Sequence, residues 1–157
     1  MLLNAENYLK YSLILIIALL SSVFIMQFGF DILPCKLCLI QRYPYYLLLA
    51  ILAFYHFLKL NKFKRLVLFL TIIFFMVAAL IALYHSLVEL NLISTDLHCV
   101  SASIYGNLQD MQNSIIDKPA VSCDVAAFKI LFLSLSNWNF LISFFYGLLG
   151  FIVISRK

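Results

Sequence analysis

Four stretches of the chain are almost unbroken in their apolar side chains, roughly Leu9–Phe30, Tyr43–Leu60, Leu66–Leu87 and Trp138–Ile154. A helix needs about 20 such residues to cross the hydrocarbon of a bilayer, so each run predicts a spanning helix. The polar connections between the runs are unequal. The first, about 31–42, and the one at LNKFKR are short, and tight connections pack neighbouring helices antiparallel. The third, about 88–137, is far longer than a bundle requires, and a loop of that size commonly carries function. Within it Ile104, Leu108, Met111 and Ile115 recur at helical spacing, with Asn107, Asp110 and Asn113 between them, which predicts a short amphipathic helix. Its apolar stripe suits a headgroup surface or the end of the bundle, and both placements stay open. After Cys123, VAAFKILFLSL is apolar enough to dip into the interface before Trp138, a residue type that anchors span ends.

Composition agrees with this pattern. A chain with 65% hydrophobic and only 11% charged residues lies outside the soluble range, and its 157 residues suffice for a single domain. The first run is too long for the core of a signal peptide, and IMQFGFDIL offers no small-residue cleavage site, so it is expected to stay as an anchor. Seven of the eleven basic residues fall in the N-terminal tail, the second loop and the C-terminal tail. Six of the seven acids fall in the first and third loops. By the positive-inside rule, which counts Lys and Arg, both termini and the second loop face the cytoplasm. The expected fold is thus all-α: one integral membrane domain over 1–157, a four-helix bundle with a long extracytoplasmic loop between helices 3 and 4. With the positive charge placed mainly on cytoplasmic flanks, and no nucleotide-binding glycine pattern, no nucleic acid is implied.

All four cysteines then fall on the outer side, where an oxidising compartment would meet them. Cys35-Lys-Leu-Cys38 is a C-x-x-C pair, a spacing that closes a small, reducible ring and recurs in thiol exchange. Zinc also uses it, but Cys99 and Cys123 stand 23 residues apart and make no second knuckle, so no metal is expected. A c-type haem would want His after the second cysteine, where Leu39 stands. Two plain structural disulfides, 35–38 and 99–123, are the competing reading. A two-residue gap constrains the unfolded chain so little that 35–38 would be a weak staple. Arg42 lies one turn beyond Cys38, where a guanidinium can favour a thiolate or simply snorkel to headgroups. Pro44 favours a helix start near Tyr43. His85, near the outer end of the third run, is either functional or interfacial. His98 adjoins Cys99 and is either a helper in forming its thiolate or a loop residue, while His56 sits near the cytoplasmic end of its span.

C-x-L-C-x-x-Q-R entering the second of four spans, a second cysteine pair in the long loop, and Asn137–Trp138 before the last span together resemble the disulfide bond formation protein B family (DsbB, including DsbI-type members). The likeness covers nearly the whole chain in topology. It separates from the vitamin K epoxide reductase family, where the C-x-x-C follows the loop cysteines. The resemblance implies a bacterial inner-membrane thiol:quinone oxidoreductase that re-oxidises a periplasmic, thioredoxin-fold, DsbA-like partner. By position, Cys99 would form the mixed disulfide with that partner, and Cys123 would resolve it or pair transiently with Cys35. Cys35 and Cys38 would be oxidised by ubiquinone or menaquinone, with Cys38 facing the ring. Arg42 would stabilise charge on the quinone oxygen, and His85 matches a position near the ring. The neighbours of the loop cysteines match the family poorly. The alternatives are a non-catalytic membrane protein or assembly factor with structural disulfides, and a permuted vitamin K epoxide reductase-like activity.

Overall fold

The computed structural model of the protein describes residues 4–59, 61–93, 123 and 129–155. Among the described residues four helical segments are long and apolar enough to cross a membrane. The first is α1 (Ala5–Gly29). The second is built from α2 (Lys36–Ile40) and α3 (Tyr43–Phe57), which together span 22 residues. A 3-10 turn at Asn61–Phe63 leads into α4 (Lys64–Glu89), and the last is α5 (Leu135–Ser155). Ahead of α5, β1 (Lys129–Ile130) pairs antiparallel with β2 (Leu133–Ser134), Lys129 opposite Ser134. The architecture is all-α in its spanning part, a four-helix membrane bundle. The amphipathic segment expected at 104–115, together with His98 and Cys99, lies outside the described residues.

The break between α2 and α3 follows from Pro44. A proline has no N–H to give to the carbonyl four residues back, and its ring crowds that carbonyl, here Ile40. The backbone tightens instead: Gln41 N bonds Leu37 O at 3.0 Å, and Arg42 N reaches only to Leu39 O at 3.1 Å. Regular α geometry resumes with Tyr46 N to Arg42 O at 3.1 Å. Pro44 thus sits in the first turn of α3, where the missing donor costs nothing.

At the centre lies α4, packed against α5, α3 and α1. Phe75 is fully buried, tilted against the Tyr146 ring at 4.9 Å and edge-on to Tyr45 at 6.3 Å. Tyr8 of α1 stacks on Tyr146 at 5.0 Å. The close approach of α4 and α5 depends on small residues: Ala78, Ala79 and Ala82 are buried on α4, and Gly147 and Gly150 on α5. A Cβ at Gly150 would stand 2.6 Å from Ile72 Cγ1. This is how helices pack where lipid outside is as apolar as the interface inside. The outward surface is mostly hydrocarbon, with Phe28, Phe54, Leu80 and Phe151 all strongly exposed.

Candidate functional site

The end of the bundle that carries the C-x-x-C is polar inside. Cys35 is the N-cap of α2, and its sulfur accepts the Cys38 N–H at 3.2 Å. Three-residue spacing on a helix start brings the two side chains to one face. Their sulfurs are in direct contact, Cys35 Sγ 2.8 Å from Cys38 Sγ. His85 completes a compact trio, its ligand atom and the two sulfurs all within 4.8 Å of one another.

His85 comes from the last turns of α4 and is buried. Its Nε2 lies 3.6 Å from Cys35 Sγ and 3.6 Å from Glu89 Oε1, one turn further along the same helix. Its Nδ1 lies 3.0 Å from Gln41 Nε2. The Gln41 Oε1 accepts from Asn139 Nδ2 at 3.3 Å, and Asn139 Oδ1 accepts from the Tyr45 hydroxyl, which also meets Ser143 Oγ. On the other side Ser136 Oγ donates to Glu89 Oε2 at 2.6 Å and bonds Ser134 Oγ at 2.8 Å. A buried amide or carboxylate without partners would cost several kcal/mol, and here each has them. The Cys35 thiol is pushed up to about 12, first by the bond it donates to Cys38 and then by burial, while His85 pulls the other way.

A cavity of about 240 Å³ opens beside this cluster, between α1, the α2–α3 segment, α4 and α5. Leu19, Leu20, Val23 and Met26 of α1 and Ile142 of α5 make its hydrocarbon wall. Cys38, Gln41, Arg42, His85 and Glu89 line its polar edge. Arg42 is 9% exposed. Its Nη1 donates to Gln27 Oε1 of α1 at 2.7 Å, and its guanidinium lies 5.6 Å from the Phe24 ring centre. The site is therefore one apolar chamber with a thiol and a fixed cation in its wall.

Of the residues picked out in the sequence, the structure brings Cys35, Cys38, Arg42 and His85 to this one chamber and its rim. Cys123 is buried in the same cluster as Cys35, Leu37 and Val88. Cys99 and His98 lie outside the described residues. His56 lies on the last turn of α3, at the other end of the bundle, edge-on to Tyr55 at 5.1 Å. Tyr45, Glu89, Ser136 and Asn139 were not picked out in the sequence as site residues, and Gln41 entered only as a letter of the C-x-L-C-x-x-Q-R motif. Glu89 carried a signal, since it stands four residues after His85 and so on the same helical face. The polar partners on α5 carried none, because only packing brings them to His85.

A family model described as Disulfide bond formation protein DsbB matches residues 7–153. The chain is 30% identical over 163 residues to Uncharacterized protein RP370 of Rickettsia prowazekii (strain Madrid E), an alignment spanning 97% of this chain and 93% of that protein. No solved structure matches. A family match over nearly the full length, on a bundle that gathers thiols at one end, leads to one conclusion: this chain belongs to the DsbB family of membrane proteins for disulfide-bond formation.

Proposed function

We propose that the chain is a thiol:quinone oxidoreductase of the bacterial inner membrane, taking electrons from a periplasmic DsbA-like protein and delivering them to a membrane quinone, ubiquinone or menaquinone. Both termini face the cytoplasm and the cysteines the periplasm. Cys99 takes up the partner as a mixed disulfide, and Cys123 resolves it or pairs transiently with Cys35. Exchange of this kind runs by thiolate attack on a disulfide sulfur, so each step passes an electron pair along the sulfurs. Burial of Cys123 in the cluster around Cys35 supports that order.

The observation that carries the proposal is the apolar chamber with Cys38, Arg42 and His85 in its wall. About 240 Å³ lies below the roughly 300–1,000 Å³ of drug-sized ligand pockets and far above the ~30 Å³ share of a single water, which suits one substituted ring. When bound there, a quinone supplies a sink for two electrons and two protons. Cys35 and Cys38 lose two electrons and two protons as their S–S bond closes. Arg42 opposes the negative charge that builds on the acceptor's oxygen, as the donors of an oxyanion hole do. Gln27 and Phe24 hold the guanidinium in place for that task.

The test is the thiol state of the purified, fully reduced protein with and without added quinone. Alkylation and peptide mapping are expected to show Cys35 and Cys38 closing to a disulfide only when quinone is supplied. Thiols that stay reduced in its presence would overturn the proposal.

A further inference from the structure

A carboxylate at the C-terminal end of an apolar helix is doubly disfavoured, by burial and by the helix dipole. Glu89 is that group: it is the last residue of α4, its side chain is 10% exposed, and the electron route described above does not use it. Its two oxygens are engaged, Oε1 at 3.6 Å from His85 Nε2 and Oε2 accepting from Ser136. The same Nε2 is 3.6 Å from Cys35 Sγ, so the imidazole stands between the thiol and the carboxylate. Among the described residues Cys38 also feels the Glu89 charge, and Arg42 lines the same chamber. Ser134 backs Ser136.

We propose that Glu89 is a positioning residue that acts through His85, holding on that ring the proton Cys35 gives up when the 35–38 disulfide closes. This rests on the oxidoreductase reading above. In that step the Cys35 and Cys38 S–H bonds break and one S–S bond forms, the Cys35 proton moves to His85 Nε2, and the two electrons released would be taken up by the quinone acceptor. The imidazolium faces the Glu89 carboxylate and then returns its proton to an acceptor oxygen, and the Cys38 proton supplies the other. Accepting a proton at Nε2 requires Nδ1 to carry the ring's first one. The Gln41 and Asn139 amides permit this by turning over together: Nδ1–H then donates to Gln41 Oε1, Gln41 Nε2 to Asn139 Oδ1, Asn139 Nδ2 to Tyr45, and Tyr45 to Ser143. No buried group loses its partner.

The test needs no quinone and so separates from the test of the electron acceptor. In the full chain carrying Cys38→Ala, Cys99→Ala and Cys123→Ala, the pH midpoint of Cys35 alkylation by iodoacetamide reports the charge state beside its sulfur. Glu89→Gln removes the counter-charge that keeps a proton on His85, and is expected to raise the midpoint by about one pH unit, with Glu89→Asp restoring it. A bare negative charge acts with the opposite sign, because it disfavours a nearby thiolate. Accordingly, in a His85→Gln background Glu89→Gln is expected to lower the midpoint or leave it. An unchanged or lowered midpoint with His85 present overturns the proposal, as does a rise that persists without His85. Should Glu89→Gln not fold, Ser136→Ala, which frees Oε2, is expected to raise the midpoint by a smaller amount, and no rise there also overturns it.

Discussion

A guanidinium that is 9% exposed inside an apolar bundle needs partners, and Arg42 finds two on α1, a hydrogen bond from Nη1 to Gln27 Oε1 and the face of the Phe24 ring. Because Gln27 and the Phe24 ring hold it, its charge is fixed in place before any acceptor arrives, which is where electrostatic stabilisation is most effective. Arg42→Ala is expected to raise the apparent KM for quinone roughly tenfold or more, the worth of a charge-assisted hydrogen bond, with the helical circular dichroism unchanged. Unaltered quinone kinetics would take Arg42 out of the site. At this scale the sequence was legible where spacing alone sets proximity: Cys35 with Cys38, and Arg42 one turn on. His85 was legible as an ionisable group near one end of a span, but its neighbours were not. That Gln41 rather than a guanidinium touches the ring depends on how α3 and α4 rotate against each other, and no local pattern encodes that rotation.

Helix ends illustrate a different limit. Hydropathy marks which residues are apolar, whereas a helix continues as long as its backbone bonds are made. The observed α1 therefore begins at Ala5 rather than Leu9, and α4 runs from Lys64 to Glu89, past the apolar stretch at both ends. The antiparallel pair at Lys129–Ser134 is too short for any periodic signal, and its turn places Leu131 and Phe132 at φ 50° and 69°, a region such side chains rarely adopt. Packing at the element scale gives a sharp contrast between two glycines. A Cβ at Gly150 meets both the Tyr8 side chain and Ile72 Cγ1 closely, so Gly150→Ala forces α1, α4 and α5 apart. It is expected to cost about 1–3 kcal/mol, read as a lower melting midpoint in detergent. At Gly29 the nearest atom would be 3.7 Å away, an ordinary contact, and Gly29→Ala is expected to leave the midpoint unchanged or raise it slightly. Equal effects of the two substitutions would contradict the close-packed α4–α5 seam.

Taken as a whole, the molecule assigns its two ends different work. The end near Tyr55 and His56 carries a Lys64–Glu6 ion pair between α4 and α1, while the opposite end concentrates cysteines, imidazole, carboxylate and amides under one roof. The four-span plan and the position of the C-x-x-C were readable from the chain, since long apolar runs and fixed spacings survive without knowledge of packing. If Cys99 is the entry point for electrons, Cys99→Ala is expected to abolish the covalent complex trapped with a DsbA-like protein. A complex of undiminished yield through another cysteine would reassign that role.

The sulfur of Cys35 closes the first turn of α2 by receiving the Cys38 amide hydrogen. A thiolate, a thiol and a disulfide sulfur differ greatly in how strongly they accept such a bond. If Cys35 changes partner as proposed, each change is expected to tighten or loosen the end of a helix whose next residues include the chamber wall, so that oxidation state would be written into local backbone stiffness.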